Sequence, residues 1–185
     1  WLFRHAITRE VAYESIPFQL REQLHESAGR YLERHRHAGD FNLDLLAHHY
    51  WHSANLEKKT EYLRRAGQAA QSAYANRAAI EYYERLAEIV PESESAARAL
   101  VENLWRGGHR TAALEAFERE VRRVPDVLEC HLMAGTADYL LKVVAQDTED
   151  FARIHRQYLA RLPGVAQMHS SFALRTVFKT TAIPV

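Results

Sequence analysis

Val127-Leu128-Glu129-Cys130-His131-Leu132-Met133 and Tyr139-Leu140-Leu141-Lys142-Val143-Val144 are two short apolar runs, and Gly135-Thr136-Ala137-Asp138 lies between them. Strand-like runs around a Gly- and Asp-containing turn predict a β-hairpin. Downstream, Asp147 to Leu162 returns to helical spacing, with Phe151, Ile154, Tyr158 and Leu162 on one face and Asp147 or Thr148 as cap. Pro163-Gly164 ends that helix, and Val165 to Val185, rich in Val, Phe, Thr and Ser, reads as strand again. The tail is therefore strand, strand, helix, strand.

Upstream the style differs. Residues 1 to about 124 are dominated by Ala, Leu, Glu and Arg, with apolar positions every three or four residues. The spacing predicts helices near 8–16, 18–37, 42–54, 56–73, 76–90, 95–107 and 110–124. Pro17 suits the first turn of the second helix. Gly39-Asp40 is a break, after which Asn42 or Asp40 is positioned to cap the next helix. The whole chain is thus α+β, an all-α array followed by a mixed module.

Composition narrows the function classes. Of 185 residues, 47% are hydrophobic and 26% charged, an ordinary globular balance. Lys+Arg and Asp+Glu are both 24. Up to Thr111 there are 15 basic and 15 acidic residues, and 9 of each after it. Neither part has the basic excess of a nucleic-acid binder. One cysteine, Cys130, excludes an internal disulfide framework and a cysteine-based zinc cluster. No apolar run approaches the roughly 20 residues that span a bilayer, and no signal peptide opens the chain, so a cytoplasmic protein is expected. The chain starts at Trp1, as expected of a fragment or processed piece.

A 34-residue period runs through the helical part. With Thr60 as its first position, Leu63, Ala66, Gly67 and Ala70 fall on one helix, Ala79, Tyr83 and Leu86 on the next, and Pro91 closes the unit. A shift of 34 maps Ala79 to Ala113, Tyr83 to Phe117 and Pro91 to Pro125, with Gly108 at the turn. Small residues let paired helices approach, the aromatic fills the groove, and the proline stops the second helix. The pattern resembles two tetratricopeptide (TPR) repeats, near 60–93 and 94–127. The stretches His5-Ala6-Ile7-Thr8-Arg9-Glu10-Val11-Ala12-Tyr13-Glu14-Ser15-Ile16 and Leu45-Leu46-Ala47-His48-His49-Tyr50 resemble the helical region of bacterial adenylate/guanylate cyclase–ATPase signalling proteins. That resemblance covers about 3–92. It implies a scaffold or regulatory arm that binds a protein partner, and no GxxxxGK[ST] phosphate loop accompanies it.

The C-terminal part resembles another family. Phe117-Glu118-Arg119-Glu120-Val121, Val124-Pro125-Asp126-Val127-Leu128-Glu129-Cys130-His131 and Gly135-Thr136-Ala137-Asp138-Tyr139-Leu140-Leu141-Lys142-Val143 come first. Leu162-Pro163-Gly164-Val165, Ser170-Ser171-Phe172 and Lys179-Thr180-Thr181-Ala182-Ile183-Pro184 follow in order. The set resembles the effector-binding (RAM) domain of the Lrp/AsnC transcription regulators, over about 112–185. The resemblance implies a ferredoxin-like sandwich whose sheets dimerise, with further assembly into larger oligomers. It also implies an amino acid or related effector bound between dimers, with Gly135, Thr136, Asp138, Tyr139 and Ser170 as effector-site residues. The residue types agree. Gly135 permits a positive φ and close backbone approach, Asp138 pairs with an α-ammonium group or caps the turn, and Tyr139 offers an apolar face with a polar tip. Alternatively, Gly135 and Asp138 only shape the hairpin.

Two departures stand out. The family's first strand precedes the helix matched by Ala112 to Arg123, but here Ala96 to Arg110 reads as helix. That strand is central in a ferredoxin-like sheet, so its loss leaves a gap or forces the last strand to pair elsewhere. The expected module is therefore an incomplete ferredoxin-like sandwich over 112–185, behind a TPR-like region over 1–111. No segment of 1–111 supplies a basic recognition helix, so no direct DNA binding by this chain is expected. The two resemblances overlap at 112–125. Either one helix serves both halves of a fusion, or two unrelated pieces are joined.

Other chemistry finds little support. His48 and His52, one helical turn apart beside His49, lack an acidic third ligand, so no metal is expected. Cys130 has only His131 near it in sequence, on the opposite strand face. His169-Ser170-Ser171 lacks the G-x-S-x-G elbow of a serine nucleophile. Tyr82-Tyr83 reads as repeat core, and Glu57-Lys58-Lys59 as a solvated face. No catalytic residue, cofactor or membrane contact is expected. The leading expectation is a non-enzymatic amino-acid-sensing and oligomerising module, and the alternative is a protein-binding scaffold.

Overall fold

The computed structural model describes residues 6–35, 42–135 and 138–178. Seven helices come first: α1 Ala6–Glu14, α2 Phe18–Arg34, α3 Leu43–Trp51, α4 Leu56–Ser72, α5 Asn76–Ile89, α6 Glu94–Arg106 and α7 Arg110–Val121. The strands β1 Val127–Leu132 and β2 Tyr139–Val143, helix α8 Thr148–Gln157 and a 3₁₀ turn Leu159–Arg161 follow. Four of the described helices, α3, α4, α6 and α8, start where short polar side chains satisfy first-turn amides. Asn42 accepts from the Leu45 amide, Asn55 from Lys58, Ser93 from Ala96 and Asp147 from Asp150. Asp40, the other candidate cap, lies outside the described residues.

Helices α2 to α7 pack each against the next around one core. The positions singled out by the 34-residue period are buried in it: Leu63, Ala66, Ala79, Tyr83, Leu86 and Ala113. Gly67 lets Tyr83 lie against α4, since a Cβ there would sit 3.0 Å from the ring carbon Cζ. The same device occurs earlier, unnoticed in the sequence: a Cβ at Gly29 of α2 would sit 2.8 Å from Tyr50 Cζ of α3. The Tyr50 ring is stacked on Tyr62 of α4.

A second core joins Val121, Val124, Ile154, Leu159 and Leu162, with Phe117, Leu141, Val143 and Phe151 packed against it. The hairpin lies over α7 and α8. Its antiparallel register pairs Leu132 with Tyr139, His131 with Leu140, Cys130 with Leu141 and Glu129 with Lys142, with an irregularity between Val127 and Glu129. Tyr139, Leu141 and Val143 alternate inward on β2, and Leu140 and Lys142 outward. Helix α7 belongs to both cores, giving Ala113 and Ala116 to the first and Val121 and Phe117 to the second. The halves also touch directly. Arg161 lies 3.8 Å from Glu94, Arg123 donates to the Pro91 carbonyl, and Gly164, at φ +76, faces Val101 of α6.

Two expectations are corrected. Residues 165–178 form no strand: Leu174, Val177 and Phe178 are exposed, and the described sheet has two strands. Ala96 to Arg106 is helical, as its spacing predicts, so among the described residues β2 pairs with β1 alone. The expected helix over 147–162 ends at Gln157 and continues as the 3₁₀ turn, because Tyr158 adopts φ −125. The part after α7 is thus α+β with a two-stranded sheet. No described helix is long and apolar enough to cross a membrane.

Candidate functional site

The hairpin tip holds the sequence-expected effector residues. The Met133 amide donates to the Asp138 carbonyl at 2.9 Å, closing the turn. Gly135 and the Asp138 side chain are exposed at its end. Thr136 lies outside the described residues. The reading of Gly135 is corrected. It does not adopt a positive φ, and a Cβ there would meet nothing within 4 Å. Neither left-handed backbone nor close approach of another part of the chain requires glycine at this turn.

Tyr139 is half-buried and turned inward. Its hydroxyl donates to Glu118 of α7 at 2.9 Å, and its ring lies 4.8 Å from that of Phe117. Burial, then the Glu118 carboxylate, push the phenol well above its ordinary range. Tyr139 thus ties the exposed turn to α7. Sequence reading missed Glu118 and Phe117 as its partners, although both stand in the motif quoted for the resemblance.

Ser170 sits apart, exposed in the 165–178 segment. Met168 packs on the second core, and Phe172 meets Phe151 of α8 edge-on at 5.0 Å. No hydrogen bond joins Ser170 to the hairpin among the described residues. The outer sheet face carries Glu129, paired with Lys142 and with His131 at 3.2 Å. Leu128, Leu140 and Val144 are exposed beside them. Cys130 pairs with Leu141, and burial, then Glu118, push its thiol up. That keeps it protonated and a poor nucleophile.

Two open grooves lie on the helical half. One of about 720 Å³ is lined by Arg64, Gln68, Gln71, Tyr83, Arg98 and Glu102. The other, about 780 Å³, lies beside Leu56, Thr60 and Ile89. His48 and His52 do meet, with ring centroids 4.9 Å apart, and His25 of α2 joins them. Among the described residues, no three His, Cys, Asp or Glu are placed to hold a metal ion.

Residues 107–183 match the model of the Lrp/AsnC ligand binding domain. A relative described as an uncharacterized HTH-type transcriptional regulator of Sinorhizobium fredii is 38% identical over 87 residues, covering 47% of this chain and 68% of the relative. The chain belongs to the Lrp/AsnC family. The proline dehydrogenase transcriptional activator of Rhodobacter capsulatus is 43% identical over 68 residues, 37% of this chain and 44% of that protein. The Bkd operon transcriptional regulator of Pseudomonas aeruginosa is 38% identical over 71 residues, 38% of this chain and 46% of that protein. This Lrp/AsnC chain spans about two thirds of the first relative and under half of the other two. No solved structure matches it. The family match begins in the Gly107-Gly108 turn, so α7, the hairpin and α8 lie inside it and α1 to α6 outside it.

Proposed function

We propose that the chain is a non-enzymatic, cytoplasmic sensing module of the Lrp/AsnC class. It binds an amino acid at the hairpin and assembles as a homo-oligomer through its sheet, without DNA reading of its own. The single observation that carries this is the family match over 107–183, which spans the turn from Gly135 to Tyr139. In the assembly the exposed Asp138 carboxylate pairs with the effector's α-ammonium group, with Gly135, Thr136 and Ser170 lining the site. The exposed Leu128, Leu140 and Val144 supply apolar surface for the second copy. The bond from Tyr139 to Glu118 carries the response inward, because α7 is built into both cores. An effector that favours one assembly shifts the population by its differential affinity, and the helical half passes the change to a partner protein.

A thermal-shift screen of the chain against the twenty amino acids tests this. A ligand at 100 times its dissociation constant adds about 2.7 kcal/mol, worth roughly 2–4 °C per kcal/mol in a domain of this size. A selective rise of several degrees that Asp138→Ala abolishes is expected. A cooperative melt that no amino acid shifts defeats the reading.

The second reading is a TPR-type protein-binding scaffold. It is favoured by the 720 Å³ groove between α4 and α6, whose Arg64, Gln68, Arg98 and Glu102 present charges and amides to an extended peptide.

A further inference from the structure

Four imidazoles from two helices meet on the helical half, outside the family match. His25 of α2 is 9% exposed. Its Nδ1 lies 3.1 Å from Nδ1 of His49, and its Nε2 lies 2.9 Å from the hydroxyl of Tyr13 on α1. Its ring centroid is 5.7 Å from that of His48, 5.2 Å from His49 and 5.0 Å from His52. One side chain therefore links α1, α2 and α3. The contact between the two Nδ1 atoms stands only while one of them is unprotonated.

The surroundings are cationic. Arg21 lies over the Tyr13 ring at 5.2 Å. Lys59 of α4 and Arg85 of α5 both lie over Trp51 at 5.4 Å, and both act on the neighbouring His52. Carboxylates able to balance a new charge are engaged elsewhere. Glu26 accepts from Asn55 and Arg30, and Asp44 accepts from Tyr82. Glu22, one turn before His25, makes no ion pair with it among the described residues.

Beyond His25, from Glu26 onward, α2 is held by different chemistry. Glu33 accepts from Tyr62 at 2.6 Å and pairs with Lys58 at 3.1 Å, and Glu26 accepts from Asn55 at 3.0 Å, so these contacts bind α2 to α4 and to its cap. We propose that the histidine cluster is an acid-operated clasp, whose protonation releases α1 and the N-terminal half of α2 from α3 while the carboxylate end of α2 stays docked.

The titration order agrees. Burial first, then the charges of His52, His49 and His48, pull His25 down from 6.5 to about 4. Burial likewise lowers His49 and His52. Glu26 lies below its ordinary range chiefly through Asn55. Burial of Glu33 works upward, but Tyr62 and Lys58 outweigh it and the net displacement is downward. Above about pH 6.5 His25 is neutral whether the clasp is closed or open. Between about 6.5 and 4 the open form takes up protons that the closed form refuses, so docking weakens as pH falls through that window. Glu26 and Glu33, both lowered, keep their charge further down this window than an ordinary carboxylate does.

The test is hydrogen exchange on the full chain at pH 7.5 and 5.0, corrected for the intrinsic change in exchange rate. One ring at about 4 when closed and 6.5 when open raises the opening constant by about thirtyfold between these pH values. That loss of protection is expected over 6–25, with little change over α5 and α6. His25→Gln should remove most of it, and His169→Gln should remove none. If His25→Gln does not fold, His48→Gln, at an exposed member of the cluster, should shrink the response by removing one like charge. Unchanged protection over 6–25 overturns the proposal. So does an undiminished response in the folded His25→Gln or His48→Gln chain, or an even loss across the molecule.

Discussion

Gly29 and Gly135 show how differently one residue type serves in two settings. At Gly29 the Tyr50 ring occupies the place of a side chain, with Cζ 2.8 Å from an ideal Cβ, and the stack on Tyr62 prevents the ring from swinging away. Alanine in a helix gains up to about 1 kcal/mol over glycine, but overpacking costs about 1–3 kcal/mol. Gly29→Ala is therefore expected to destabilise the chain by about 1 kcal/mol. Gly135→Ala, with open space and no left-handed backbone, should stay within about 0.5 kcal/mol. Urea denaturation of both variants checks the pair, and equal losses at the two sites would contradict it. Sequence singled out Gly135 and passed over Gly29. The Gly29–Tyr50 contact joins residues 21 apart, across a connection that breaks the 34-residue spacing. His25 was missed for the same reason: its partners lie 12 and 24 residues away. Its place one turn before Gly29 on the buried face of α2 was the available signal.

At the scale of elements, what was legible depended on whether an element makes its own hydrogen bonds. A helix does, so spacing and caps placed α2 to α7 within a few residues, and Asn42 and Asp147 cap as their positions implied. The hairpin was legible because its two strands adjoin in sequence. Residues 165–178 carry the composition of a strand, but a strand needs a neighbour, and α6 stands where the chain would have supplied one. At α8, Asp147→Ala removes the acceptor for the Asp150 amide. It should cost about 1 kcal/mol, read as a lower urea midpoint with an unchanged slope. A loss below about 0.3 kcal/mol would mean that packing of Phe151 and Ile154 alone sets the start of the helix.

Over the whole molecule, the two cores are joined by α7 and by the contacts of Arg161, Arg123 and Gly164 with the helical half. The overlap of the two resemblances at 112–125 was visible in the sequence, and α7 runs through it as far as Val121. The dockings from Glu94 to Arg161 and from Val101 to Gly164 were not visible, because each joins residues more than 60 apart. Limited proteolysis of the native chain should therefore trim the exposed 165–178 segment first and leave 107–125 uncut. Early cutting between Gly107 and Pro125 would show that the two parts are separable. There is accordingly no seam at which to divide this chain. A piece ending at Thr111 would lose Ala113 and Ala116 and lay bare Leu100 and Leu104. A piece beginning at Ala112 would carry Arg161 and Gly164 without Glu94 and Val101 of α6, which they face. Anyone seeking to graft the sensing part onto another scaffold must carry α6 along with it or provide a surface of the same shape.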